Sequence, residues 1–121
     1  MPWLLRDGRV LASLEVASSR ADRRRGLLGR DGIDGALLIE PARSVHTIGM
    51  RFPIDVAHLD ADGVVLRART MARNRIGLPV PKATAVVETE AGRFRSWELH
   101  PGQVLEVERP EHGSGAPSVS S

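Results

Sequence analysis

Apolar and polar positions alternate along most of this chain with a period of two, the pattern of strands that bury one face. Between Arg9 and Ala17 the period places Val10, Ala12, Leu14 and Val16 together. Gly8 just ahead marks a turn, which makes residues 3–6 a partner strand. Ala36-Leu37-Leu38-Ile39 is a short continuous apolar run, as expected of a strand buried on both faces, and Pro41 ends it. After Pro53 comes a strand from Ile54 to Asp60. Its Ile54, Val56 and His58 point one way, and Asp55, Ala57 and Leu59 the other. Asp60-Ala61-Asp62-Gly63 is a hairpin turn, with Val64 to Arg69 as the return strand. Ala83 to Thr89 and Val104 to Val107 complete a set of about six strands besides the partner strand at 3–6.

Two stretches carry helix signals instead. Ser18-Ser19 offers an N-cap for a helix from Arg20 to Leu28, with Gly29 as its stop. Ala91-Gly92 opens a second, at 91–98, in which Phe94 and Trp97 stand three apart on a core face. Strands separated by turns and not by regular helices argue against a βαβ sheet. The predicted fold is mainly β: a compact, mostly antiparallel β-sandwich or barrel with two short helices, occupying residues 1–109. From Pro110 onward the chain is Gly, Ser and Pro with almost no hydrophobe, so 110–121 reads as a disordered tail. Residues 71–82, with Asn74, Gly77, Pro79 and Pro81, form a long loop of the kind that is often functional or mobile.

Composition narrows the function classes. At 121 residues one domain can bury a core without staples. Cysteine is absent, which excludes disulfides, thiolate metal sites and a cysteine nucleophile. Residues 1–8 carry a charge and a glycine before any apolar run reaches signal-peptide length. No run approaches the ~18 apolar residues of a membrane span, so a soluble cytoplasmic protein is expected. The net charge is +2, and Lys82 is the sole lysine. That balance argues against a nucleic-acid partner. So do the few aromatics (Trp3, Phe52, Phe94 and Trp97), which form no stacking platform. The arginines at 20, 23, 24, 25 and 30 read as a solvated helix face.

Candidate chemistry concentrates between Ser44 and Asp60. His46 lies in an irregular stretch, where an imidazole could act as acid, base or ligand near neutral pH. Gly49 beside Met50 points to a special backbone angle or a close approach. Asp55 falls inside a strand, where a carboxylate is either paired or costly. Glu88 stands in the same position within another strand, and the two carboxylates could share a proton or a cation if they meet. His46, Asp55, Asp60 and Glu88 supply ligand types without metal-site spacing, so neither a metal nor another cofactor is expected. No nucleophile elbow and no Gly-rich phosphate loop occurs. Met50, Phe52, Ile76, Leu78 and Val80 could line a shallow apolar groove.

Three segments in order resemble one known family: Arg23-Arg24-Arg25-Gly26-Leu27-Leu28-Gly29-Arg30, His46-Thr47-Ile48-Gly49-Met50-Arg51-Phe52-Pro53-Ile54-Asp55, and Val86-Val87-Glu88 with Ala91-Gly92. They are similar to the blocks of the bacterial and archaeal family called domain of unknown function 192. Those blocks read Arg-x-x-Gly-Leu-Met-x-Arg, Trp-Met-Lys-Asn-Thr-x-x-Pro-Leu-Asp and Leu-Glu-x-x-x-Gly. The resemblance covers residues 9–108. This chain has His46-Thr47-Ile48-Gly49-Met50 in place of Trp-Met-Lys-Asn-Thr, as in a variant branch, while Pro53 and Asp55 keep the pattern. The resemblance implies a compact β-sandwich or barrel and no established activity. It also implies Arg23, the arginine of the first block, as the partner of Asp55, and His58 as a core-facing substitute for the family's usual aromatic.

The reading favoured by the sequence is a non-enzymatic module that binds a small ligand or peptide. Its site is built from His46, Met50, Arg51 and Asp55, with Arg23 and Glu88 in support. A small hydrolase or lyase using His46 with Asp55 or Glu88 is the alternative, and a structural accessory protein with a protein partner is a third.

Overall fold

The computed structural model describes residues 2–109, and the expected tail at 110–121 lies outside the described residues. Seven strands, β1 (Trp3–Arg6), β2 (Arg9–Ala17), β3 (Ala36–Ile39), β4 (Ile54–Leu59), β5 (Val65–Met71), β6 (Ala85–Glu90) and β7 (Glu106–Glu108), form one sheet in the order β5-β4-β6-β3-β2-β1-β7. Two short helices accompany it, α1 (Arg20–Arg25) and α2 (Arg93–Trp97). The mainly β, mostly antiparallel expectation holds. The one exception is the β2–β3 pair, which is parallel and is connected across α1. The sheet is not closed into a barrel. β5 and β7 are its edges, although an isolated bridge between Val64 and Val104 ties the two ends together.

The central strands β3, β4 and β6 are buried along nearly their whole length. Their alternate residues therefore feed two separate cores. One core gathers Leu4, Leu14, Leu38, Ala57, Val65 and Val87 with Phe94 and Trp97 of α2. It takes residues from both ends of the strand order, so the sheet curls around it. The Phe94 and Trp97 rings lie 5.6 Å apart within it. The second core, on the other face, holds Leu37, Ile39, Ile54, Val56 and Val86, with Leu27 and Met50 packed over them.

Local chemistry explains the turns. Asp7 and Gly8 both take positive φ, the conformation a two-residue hairpin between right-twisted strands requires. At the other hairpin, Asp60 Oδ1 accepts from the backbone N–H groups of Asp62 and Val64, each at 2.9 Å. Two expectations are corrected. Leu4 pairs with Ala12 and Leu5 with Val10, so Leu11 is an extra residue in β2. That bulge reverses the alternation, and Val10 ends up 58% exposed on the face opposite Ala12. Helix α1 stops at Arg25 instead of running to Leu28, because Gly26 takes a positive φ and its N–H closes on Asp22 O at 3.0 Å. The early stop lets Leu27 turn inward, where it is 1% exposed.

Candidate functional site

The early end of α1 opens a cavity of about 540 Å³ between that helix, the segment from Ile39 to Met50, and β6. Its floor is the Glu88 side chain, which β6 points toward the second core. Leu27, Leu28, Ile39 and Met50 make its apolar wall. Arg20, Arg23, Arg24 and Arg25 line the α1 side, and His46 faces them from the loop. Gly26 closes the floor. A Cβ built there would lie 3.4 Å from Glu88 Oε1, so the backbone of the helix stop packs directly beside the carboxyl.

Glu88 is only 3% exposed. Among the described residues its carboxyl has no hydrogen-bond or ion-pair partner, and burial pushes its pKa up to about 7. A carboxyl in that range is both a proton donor and an acceptor near neutral pH. Arg23 is half-buried; its Nη1 donates to Pro41 O at 3.1 Å, while its Nε is buried without a partner. His46 is exposed at the rim.

The loop that presents His46 is held by Thr47, which is fully buried. Thr47 Oγ1 donates to Ala72 O at 2.6 Å and accepts from Arg75 N–H at 2.8 Å. Gly49 takes a positive φ of 81°, and its N–H donates to Asn74 Oδ1 at 3.0 Å. Further backbone hydrogen bonds join Gly77 N–H to Val45 O and Val80 N–H to Arg43 O. The long loop after β5 is thus the splint of the cavity wall. Its Ile76 and Leu78 stay exposed, at 74% and 70%, and do not line the cavity with Met50.

Of the residues singled out in the sequence, His46, Met50, Arg23 and Glu88 meet at this cavity, and Arg51 and Asp55 do not. Arg51 is exposed and pairs with Asp31 at 3.1 Å. Asp55 points to the opposite face of the sheet. There it accepts from Thr70 Oγ1 at 2.6 Å, from Gly92 N–H at 2.9 Å and from Phe94 N–H at 3.0 Å. Its partner is the start of α2 and not Arg23. Asp55 and Glu88 cannot share a proton, because β4–β6 pairing sets Glu88 opposite Val56 and Asp55 opposite Thr89. A second concavity, of about 650 Å³, lies beside Asp55 and Thr70 with Arg69, Arg95 and His100 around it. His58 is buried as expected; burial and then Arg67 and Arg69 hold its pKa below the usual histidine value. Among the described residues no group of three or more His, Asp or Glu side chains is placed to hold a metal. Among the described residues no helix is long and apolar enough to cross a membrane.

The cavity residues that sequence reasoning passed over are Arg20, Arg24 and Arg25 of α1, with Leu27 and Leu28. Their signal was present as a glycine directly after the arginine run, which ends the helix and turns its last residues toward the sheet.

The domain of unknown function 192 model, described as an uncharacterized family, matches residues 4–107. The chain belongs to this family. Its three motifs converge on the cavity: Arg23, Gly26 and Leu27 from the first, His46 and Met50 from the second, and Glu88 from the third. The family's third block also supplies Gly92, the N-cap residue of α2. No curated protein matches the sequence. Two solved structures share the fold. One is a protein of unknown function from Novosphingobium aromaticivorans DSM 12444, with 18% identity over 87% of this chain and 82% of that one, and a TM-score of 0.74. The other is a provisionally assigned transcription regulator from Sinorhizobium meliloti 1021, with 20% identity over 88% and 91% of the two chains and a TM-score of 0.74. At these identities the likeness concerns the fold alone.

Proposed function

We propose that this chain is a non-enzymatic binding module for a small ligand, with its site in the cavity between α1, the Ile39–Met50 segment and Glu88. One observation carries the reading: a buried carboxyl without a protein partner faces an open cavity. Burying such a group costs free energy unless something hydrogen-bonds to it. A ligand group that reaches Glu88 removes that cost. The apolar wall with a few convergent polar groups is the usual make-up of small-molecule sites. His46 and Met50 remain in the proposed site. Arg23 and Glu88 move from support into direct contact, and Arg51 and Asp55 leave it.

The test is a fragment screen followed by amide NMR. Ligands should move the resonances of Gly26, His46, Met50 and Glu88 together. A broad library that leaves those four unmoved would overturn the reading.

A second reading has one observation in its favour. His46 and Glu88 line the same cavity, so a hydrolase or lyase with His46 as base and Glu88 as its carboxylate partner keeps its components. Turnover of an ester or lyase substrate panel, abolished in both His46→Ala and Glu88→Gln, would replace the binding module by this enzyme.

A further inference from the structure

The charge around the cavity is lopsided. Arg20, Arg23, Arg24 and Arg25 line one side, and Glu88 is the sole acid of the lining. Among the described residues none of these four arginines takes part in a salt bridge. Glu40 is engaged with Arg109 at 3.0 Å and Glu15 with Arg30 at 2.8 Å, while Asp22 of α1 lines a different concavity. Arg23 Nε is buried and, among the described residues, has no acceptor, so one donor of a guanidinium beside the cavity lacks an acceptor. Glu88 does not supply it, since burial and no arginine governs its proton affinity. The carboxyl and the guanidinium groups therefore line one cavity as unpaired polar groups, together with the apolar side chains of Leu27, Leu28 and Met50.

We infer that the ligand is a small amphipathic organic anion, with a carboxylate or phosphate head on the α1 arginines, an apolar body against Leu27, Leu28 and Met50, and a polar group that hydrogen-bonds Glu88. This rests on the cavity being the binding site. Four unneutralised guanidinium groups raise the local concentration of anions and disfavour cations. A bidentate match to carboxylate or phosphate gives the head group its orientation.

Binding is measured by calorimetry and amide NMR with 4-hydroxyphenylpropionate and phenyl phosphate as anions, and tyramine as a cation of similar shape. Both anions, or one of them, should bind and move the Gly26, Met50 and Glu88 resonances, and tyramine should not. The two head groups identify which anion the arginines prefer. Arg20→Ser/Arg24→Ser, which alters exposed side chains only, should weaken anion binding by about tenfold or more and flatten its salt dependence. If tyramine moves these resonances and the anions do not, the anion assignment falls while the binding site stands. If a broad neutral library also leaves them unmoved, both fall. If anions bind equally well to the double variant, the arginine assignment falls.

Discussion

Asp55 Oδ2 accepts a hydrogen bond from the backbone N–H of Phe94 at 3.0 Å, so a carboxylate on a strand caps a helix 39 residues further along the chain. The N-cap residue of α2 is Gly92, which has no side chain to do this itself. Asp55 also accepts from Gly92 N–H and Thr70 Oγ1, so all three donors depend on one buried group. Asp55→Ala leaves them unsatisfied and should cost about 3 kcal/mol. Asp55→Asn keeps an oxygen for the two N–H groups, and Thr70 can turn to accept from the amide, so its cost should be about 1 kcal/mol. Urea unfolding of both variants checks the order. An Asn variant as unstable as the Ala variant would mean that the negative charge, and not the hydrogen-bond geometry, holds α2.

Glu88 gives the protein an inverted acid dependence. Its proton affinity rises on folding from the ordinary 4.5 to about 7. Between those values the folded state holds a proton that the unfolded state has lost, so this group's contribution falls as pH rises from 4.5 to 7. The difference corresponds to about 3 kcal/mol. Glu88→Gln should therefore match wild type at pH 4 and exceed it by up to about 3 kcal/mol at pH 8. Paired denaturant curves at the two pH values test this. Equal stabilities at pH 8 would mean that the carboxyl is solvated or partnered.

His58 acts in the opposite direction. Burial, with Arg67 and Arg69 nearby, lowers its proton affinity below the ordinary 6.5. The unfolded chain then takes up a proton first, so stability from this group is complete above pH 6.5 and is lost as pH falls. Neither ring nitrogen has a partner. His58→Leu should be about 1 kcal/mol more stable at pH 7.5, with the gap widening toward pH 5. A gap that stays constant with pH would show that His58 is not the titrating group.

Thr47 fixes the wall of the cavity. Thr47→Val removes the hydroxyl that bonds Ala72 O and Arg75 N–H and should cost about 2 kcal/mol, while Thr47→Ser keeps both bonds and should cost less. Hydrogen exchange at Arg75 should accelerate in the Val variant and not in the Ser variant. Unchanged exchange in both would mean that the backbone bonds alone hold the loop.

Much of the fold was legible before any coordinates. The strands showed themselves through the period of two, and the Asp60–Gly63 hairpin through its turn chemistry. Gly49 was legible as a backbone special and takes a positive φ. Val10 was misplaced because a bulge inserts one residue, and a bulge has no sign in an alternating pattern. The arginine run is solvated as expected, with no buried residue in α1, but charge alone does not tell which side of a six-residue helix meets a cavity.

The sequence by itself determined which residues share a face wherever a strand carries no bulge: Asp55 with Ala57, and Val86 with Glu88. Tertiary structure alone decided how those faces meet. The side-chain period is local, but register between strands is set by pairing across the sheet, and a shift of one residue sends a side chain to the other side. Pairing of Val56 with Glu88 put the two strand carboxylates on opposite faces. One became the cap of a helix, and the other, left without a partner, became the floor of a cavity.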